Sequence, residues 1–417
     1  MSPEPVRLTI GYVAERVPRL NDAPAAAEIA ALGQVGVDVE LFSLSLPRQP
    51  GARVVANGLE SRLWYLIPPD DELNAPEFYA TVEEAPDLVP DPWVFPAQAA
   101  DATPREMYQA VRLAGQVLRR GIRHLHSEDA AAAASVARLA ARLAGIPYSL
   151  SVTGPDLTVP GREVKALRRK LADAAAILVR TRRHALMVRD LQPEPPVRLI
   201  YHGIEVAGYL FEDPGSRPPR IVAAGNLSAA SGLQYLVDAC GFLRQRGHRF
   251  ECLIAGTGPL EDEIRSRIRA RGLDGTVRLE QPASQEVVGE IQGAAALVAP
   301  FVFGGSGLGE EIPSTVLRAM AVGTPCVVTD AYALPEVVHD NETGLMVPQR
   351  SPAMLAVALE RLLHDPGLRS RIAIRARALV EEQFDLIRNA ASLAALFRSQ
   401  STGGRPRGRP PASPSST

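Results

Sequence analysis

The feature that most constrains the fold is an alternation of short apolar, β-branched runs with longer helical patterns, which occurs twice along the chain. The first set of runs is LTIGYVA (8–14), VDVELFSL (37–44), RLWYLIP (62–68), HLHS (124–127), PYSLSVT (147–153), AILVRT (176–181) and VRLIYHG (197–203). Between them lie Ala/Arg/Leu-rich segments such as 129–145, where Val136, Leu139 and Leu143 recur at helical spacing. A Pro/Gly-rich break, EDPGSRPPR at 212–220, interrupts the pattern. It restarts with RIVAAGN (220–226), FECLIAG (250–256), VRLE (277–280), ALVAPF (296–301), PCVVTD (325–330) and GLMVP (344–348). Such alternation builds βαβ units around a parallel sheet. The expected fold class is therefore α/β, with two doubly wound, Rossmann-like domains facing across a cleft and ligands bound at the carboxyl ends of the strands. The first domain is expected over 1–210 and the second over 211–384. A C-terminal helix over 385–398 should cross back to the first domain, and 399–417 reads as a disordered Gly/Pro/Ser/Thr/Arg tail. Residues 70–105, rich in Pro, Asp and Glu, read as an irregular insertion.

Composition removes several classes of function. The chain has 417 residues with 45 basic against 47 acidic, and a net charge of -2 argues against a protein built mainly to hold nucleic acid. Cys240, Cys252 and Cys326 sit in apolar contexts without CxxC spacing, so they read as core residues rather than disulfides or zinc ligands. The start, MSPEPVRLTIGYV, lacks a signal-peptide pattern, and no window reaches the roughly 18 apolar residues of a spanning helix. The expectation is a cytoplasmic protein, with peripheral contact at the inner face of the cell membrane as the remaining membrane option. Only Lys165 and Lys170 among the basic residues are lysines, which together with abundant alanine reads as a high-GC bacterial coding bias.

The stretch richest in chemistry is FVFGGSGLGEEIPSTVLRAMAVGTP (301–325). A strand ends in the loop Gly304, Gly305, Ser306, Gly307; acids Glu310 and Glu311 follow. Pro313 takes an early helix position, and residues 316–321 form a short helix closed by Gly323. Backbone amides in such a loop and at a helix N-terminus, here Ser314 and Thr315, make an anion site that needs no metal. A phosphate or diphosphate is the natural ligand; a tight, well-capped connection is the purely structural reading of the same residues. Gly256 and Gly258 lie in a strand-to-helix turn of the nucleotide-binding kind, but Leu260 and Glu261 do not supply the third glycine of a dinucleotide fingerprint.

Several blocks, in order, resemble the retaining, GT-B-fold nucleotide-sugar glycosyltransferases of the family 4 group, which includes exopolysaccharide and colanic-acid-type enzymes. They are GNLSAASGLQYLVDA (225–239), LIAGTGPLEDEI (253–264), EEIPSTVLRAMAVGTPCVVTD (310–330), LPEVVHDNETGLMVP (334–348) and FDLIRNAASLAALF (384–397). The N-terminal half is similar over IGYVAERVPRL (10–20), HLHSED (124–129), GIPYSLSVTGPDL (145–157) and RLIYHGIE (198–205). The resemblance implies transfer of a sugar from a nucleoside diphosphate donor to a glycan or lipid-linked acceptor, without a metal cofactor. In the family an Arg and a Lys neutralise the diphosphate, an E-x7-E pair orients the donor, and a His of the first domain touches the sugar.

At those positions the chain keeps Glu310, the implied catalytic residue, and changes the rest. The Arg falls on Asn226, the Lys on Ser231, the second Glu on Arg318 and the His on Thr153, while an earlier H-x-H reads His126-Ser127-Glu128. A drift to high GC would replace Lys by Arg, not Ser. Each charge-assisted phosphate contact is worth about 1.5–3 kcal/mol. Two lost contacts then correspond to on the order of 10² to 10⁴ in rate unless something compensates. The Arg318 guanidinium is one candidate for that, as a bidentate phosphate ligand. The expected function is sugar transfer in cell-surface or exopolysaccharide biosynthesis; the alternative is a catalytically impaired relative acting as a binding or partner subunit.

Two smaller signals remain. Arg162, Lys165, Arg168, Arg169 and Lys170 form a basic, helix-compatible cluster that suits either an anionic membrane surface or a solvated helix face. In the tail, Pro406-Arg407-Gly408-Arg409-Pro410 matches a minor-groove motif, with a solvated extension as the plainer reading.

Overall fold

A computed structural model describes residues 7–16, 24–46, 62–67, 102–158, 164–191, 193–304 and 312–402. These residues form two compact units, one of 1–180, 184–200 and 390–417, the other of 181–183 and 201–389.

The first unit holds a seven-stranded sheet in the order β3-β2-β1-β4-β5-β6-β7. Its strands are β1 (Leu8–Arg16), β2 (Val37–Ser45), β3 (Leu63–Tyr65), β4 (His124–Ser127), β5 (Tyr148–Val152), β6 (Ala176–Val179) and β7 (Val197–Leu199). Every ladder is parallel. Parallel sheets are covered by helices on both faces, so their central strands are apolar throughout rather than alternating. Thus all four residues of β6, AILV, are buried. The helix Pro104–Arg120 shows how sequence sets an element's ends. Thr103 and Glu106 form a reciprocal capping box, and Gly121 closes the helix in the left-handed conformation. Such a cap contributes about 1 kcal/mol.

The second unit holds a six-stranded parallel sheet in the order β10-β9-β8-β11-β12-β13. Its strands are β8 (Arg220–Ala224), β9 (Glu251–Ala255), β10 (Val277–Glu280), β11 (Ala296–Ala299), β12 (Cys326–Thr329) and β13 (Leu345–Val347). The strand order reverses between β8 and β11, the switch point at which open α/β sheets receive ligands. Cys240, Cys252 and Cys326 are buried and unpaired to one another by disulfide.

Two expectations change. The last helix, Leu386–Thr402, does not stop before Ser399. Ser399 Oγ and Ser401 Oγ donate to the Leu396 and Phe397 carbonyls at 2.7 and 2.8 Å, satisfying acceptors in the last turns. From Ala390 this helix belongs to the first unit, where Phe397 packs on His124 and His126. The helix after the glycine loop begins at Ser314, earlier than expected, with Pro313 as its N-cap. The insertion through residue 101 and the motif at 406–410 lie outside the described residues.

Candidate active site

At the switch point of the second sheet the turns after β8, β9 and β11 meet backbone to backbone. Leu227 N donates to Thr257 O at 2.9 Å, Leu260 N to Leu227 O at 3.0 Å and Val302 N to Ala230 O at 2.9 Å. Glycines allow this approach. A Cβ on Gly256 would lie 1.9 Å from the Gly225 carbonyl oxygen, and one on Gly232 would lie 1.9 Å from the Pro300 carbonyl oxygen. Gly258 abuts Asn226, whose Oδ1 is 2.4 Å from its missing Cβ position. Asn226, Gly256 and Gly258 therefore share one surface at the carboxyl ends of β8 and β9, with Asn226 exposed.

Ser231 belongs to the same turn but not to that surface. It is 7% exposed, and its hydroxyl donates to the Ser228 carbonyl at 2.6 Å. Aligned with the family's diphosphate lysine, Ser231 does not offer its hydroxyl to a ligand: the side chain closes the 3-10 turn Ala229–Ser231.

Ser314 and Thr315 open the helix Ser314–Ala321, half-buried, where the first amides have no intrahelical acceptor. Arg318 lies four residues beyond Ser314 and so shares its face. Its Nε is enclosed with no hydrogen-bond partner among the described residues. The helix thus sets one unpaired guanidinium nitrogen about a turn from amides that have no intrahelical acceptor, an arrangement that suits an anion. Gly304 is exposed at φ 125°; Gly305, Ser306, Gly307 and Glu310 lie outside the described residues.

The loops after β11, β12 and β13 add polar and aromatic groups that sequence reading did not single out. Tyr332 and Arg350 are non-glycine residues with φ of 53° and 55°. Such values are uncommon for bulky side chains and concentrate at functional sites. Glu336 accepts from the Tyr201 hydroxyl at 2.9 Å; burial, then the adjacent carboxylate, raise that phenol's pKa above its usual value.

In the first unit, Thr153 ends β5, and its amide and hydroxyl both donate to Asp156 Oδ2 at 2.9 and 2.8 Å. Its side chain is half-buried, with its proton committed to Asp156. His126, aligned with the family's H-x-H, is a core residue rather than a ligand contact. It is fully buried, with Nδ1 2.9 Å from Ser149 Oγ and Nε2 3.2 Å from Ser151 Oγ, and its ring lies edge-on to Tyr12. His124 is equally buried on the same strand rather than at an open strand end. Ser149, Ser151 and Thr153 alternate along β5, a polar period-two signal that marks this line of groups in the sequence.

The basic cluster also divides. On the helix Val164–Ala172, Lys165 and Arg168 are exposed beside Val164, itself 54% exposed. Lys170 instead donates to the Ala130 and Ala131 carbonyls at 3.1 and 2.7 Å. It therefore stitches the turn before the helix Ala132–Ala144 and is corrected from a surface group to a structural one. Arg162 lies outside the described residues. Among the described residues, no helix is long and apolar enough to cross a membrane.

Two parallel, Rossmann-like sheets, the second with glycine-built turns at its switch point, are the architecture of the GT-B fold. Residues 218–365 match the family model described as glycosyl transferases group 1. Alpha-D-kanosaminyltransferase of Streptomyces kanamyceticus is 26% identical over 301 residues, covering 66% of this chain and 76% of that one. The amylovoran biosynthesis glycosyltransferase AmsK of Erwinia amylovora is 30% identical over 196 residues, 46% of this chain and 48% of its own length. The crystal structure of Anabaena HepE in complex with UDP superposes with a TM-score of 0.70 at 13% identity, over 94% of this chain and all of that one. The match over residues 218–365 marks the chain as a glycosyltransferase, and its fold is GT-B.

Proposed function

We propose that the protein transfers a sugar from a nucleoside diphosphate sugar to a glycan or lipid-linked acceptor in cell-surface or exopolysaccharide assembly, working in the cytoplasm. The observation that carries this reading is the partnerless Arg318 Nε one turn from the first amides of the helix Ser314–Ala321, which follows β11, the strand next to β8 and its Asn226 turn. These groups would neutralise a diphosphate leaving group with protein charge, where negative charge grows in the transition state. In this reading no metal is required, Glu310 contacts the transferred sugar, and Arg318 takes over charge that Asn226 and Ser231 do not provide. The kanosaminyl transfer named for one relative and the UDP held by the structural neighbour support a nucleotide-sugar donor.

Calorimetry with UDP- and GDP-sugars tests it. Arg318→Ala should weaken donor binding about tenfold, the value of one charge-assisted contact. Glu310→Gln should lower turnover to a tenth or less while donor affinity is kept, and EDTA should leave turnover unchanged. Absence of donor binding at millimolar ligand, or an Arg318→Ala protein that binds like the wild type, would sink the reading.

Val164, Lys165 and Arg168, with Arg162, are further proposed to rest on an anionic membrane face, each basic group contributing about 1 kcal/mol. Vesicles containing a third phosphatidylglycerol should carry the protein in flotation, and Lys165→Glu with Arg168→Glu should abolish this. Equal flotation of the double variant would disprove the contact.

A further inference from the structure

The loop after β11 presents a phenylalanine in a manner that packing alone does not explain. Phe303 is 42% exposed, although three loops cooperate to fix it. Its amide donates to Gln349 Oε1 at 2.7 Å, and its carbonyl accepts from Arg350 Nη2 at 3.0 Å. Its ring meets Tyr332 edge to face, with centroids 5.0 Å apart, and the Arg183 guanidinium lies over it, 5.6 Å from its centroid. Tyr332 in turn donates its hydroxyl to the Val302 carbonyl at 3.0 Å. Two of the residues that do the fixing, Tyr332 and Arg350, hold left-handed backbone, a conformation with a real cost for residues of that size. A large apolar ring held at such a cost and still 42% exposed serves a ligand better than it serves the fold. Gln349, which holds the Phe303 amide, also donates from Nε2 to Oδ1 of the exposed Asp330 at 3.2 Å. An exposed aromatic ring joined through one glutamine to an exposed carboxylate matches a pyranose ring, whose C–H face stacks while a hydroxyl donates at the rim.

The geometry points to Phe303, edged by Tyr332 and linked through Gln349 to Asp330, as a stacking subsite for a sugar ring. This rests on the sugar-transfer reading, but its test reads binding rather than turnover, so the two fail separately. Saturation-transfer NMR with UDP-hexoses, UDP alone and methyl hexopyranosides on the full chain should show saturation of sugar-ring protons. Phe303→Ala and Phe303→Leu should weaken that binding about tenfold, a loss on the scale of one stacking contact. Phe303→Trp should retain it, because only the aromatic face matters. Thermal unfolding of all three should match the wild type, the ring being exposed. A loss confined to UDP-hexoses identifies the donor sugar, and a loss confined to methyl hexopyranosides the acceptor; both support the subsite. Unchanged binding in both Phe303→Ala and Phe303→Leu would overturn it. So would a loss for UDP alone equal to that for UDP-hexoses, which would assign the ring to the nucleobase, and so would the absence of any sugar-ring saturation in the wild type.

Discussion

Acidification below pH 6.5 should destabilise the first domain steeply, by about 1.4 kcal/mol per pH unit for each of two histidines once the pH is well below their unfolded pKa. His124 and His126 are fully buried on β4, and burial lowers both pKa values, that of His124 to about 3. For His126 the nearby Arg180 charge lowers it further. The sign follows from which state binds the proton. Between the unfolded value of 6.5 and the folded value, the unfolded chain is protonated and the native chain is not, so stability falls as the pH falls. The window closes near pH 3 for His124, where both states are charged. The groups facing these rings give no relief. Ser149 and Ser151 are neutral; Arg180 repels a second cation, and its own charge is matched by Glu28 through a buried pair at 2.8 and 2.9 Å. Urea unfolding at pH 7, 6 and 5 measures the slope, and His124→Asn should reduce it by about one proton. A stability independent of pH from 6.5 to 5 would refute the account.

What the sequence made legible follows from how local the responsible physics is. The thirteen strands among the described residues coincide with the short strand-like runs read from the chain, within a few residues at each end. A strand buried on both faces of a parallel sheet is written in consecutive residues, apolar throughout in β6 and, in β4 and β5, with one line of mutually paired histidines and serines. Register at the ends is less legible, because Pro300, Phe301 and Pro325 flank strands with apolar residues that leave the ladder. The site was legible only where backbone geometry decides it. Glycines 256 and 258 and the Ser314 helix terminus could be placed because a turn and a helix start have sequence signatures. Side chains were not. Ser231 and Ser228, three residues apart, close a turn rather than face solvent, and His126 is claimed by serines 23 and 25 residues away. Lys170 is held by carbonyls 39 and 40 residues distant. Such long-range partners leave no periodic trace. Nor does the Arg180–Glu28 pair, 152 residues apart, which becomes visible only once β6 and the helix Pro24–Gln34 are packed.

Replacing Gly232 with alanine should cost about 2–5 kcal/mol and remove donor binding together with stability. Two effects add there. The residue sits at φ 66°, a left-handed conformation worth about 1–3 kcal/mol in strain for a side chain. The new Cβ would also fall 1.9 Å from the Pro300 carbonyl oxygen, a backbone atom that cannot swing away as a flexible side chain would, and overpacking of this kind costs about 1–3 kcal/mol. Relief requires the turn after β8 to part from the loop after β11, breaking the bond from Val302 to Ala230. Gly256→Ala isolates the clash, since its Cβ would meet the Gly225 oxygen at 1.9 Å without a left-handed φ. Gly247→Ala isolates the conformational strain, at φ 81° with nothing within 4 Å, and Gly275→Ala, open and free of strain, serves as the blank. The expected order of stability in urea is Gly275→Ala above Gly247→Ala and Gly256→Ala, with Gly232→Ala lowest. UDP-sugar affinity should fall only in the two variants whose Cβ strikes a neighbouring turn. If Gly232→Ala were as stable as Gly275→Ala, the turns would not be in the contact described. If it were unstable yet bound donor normally when folded, the switch point of the second sheet would not be the donor site.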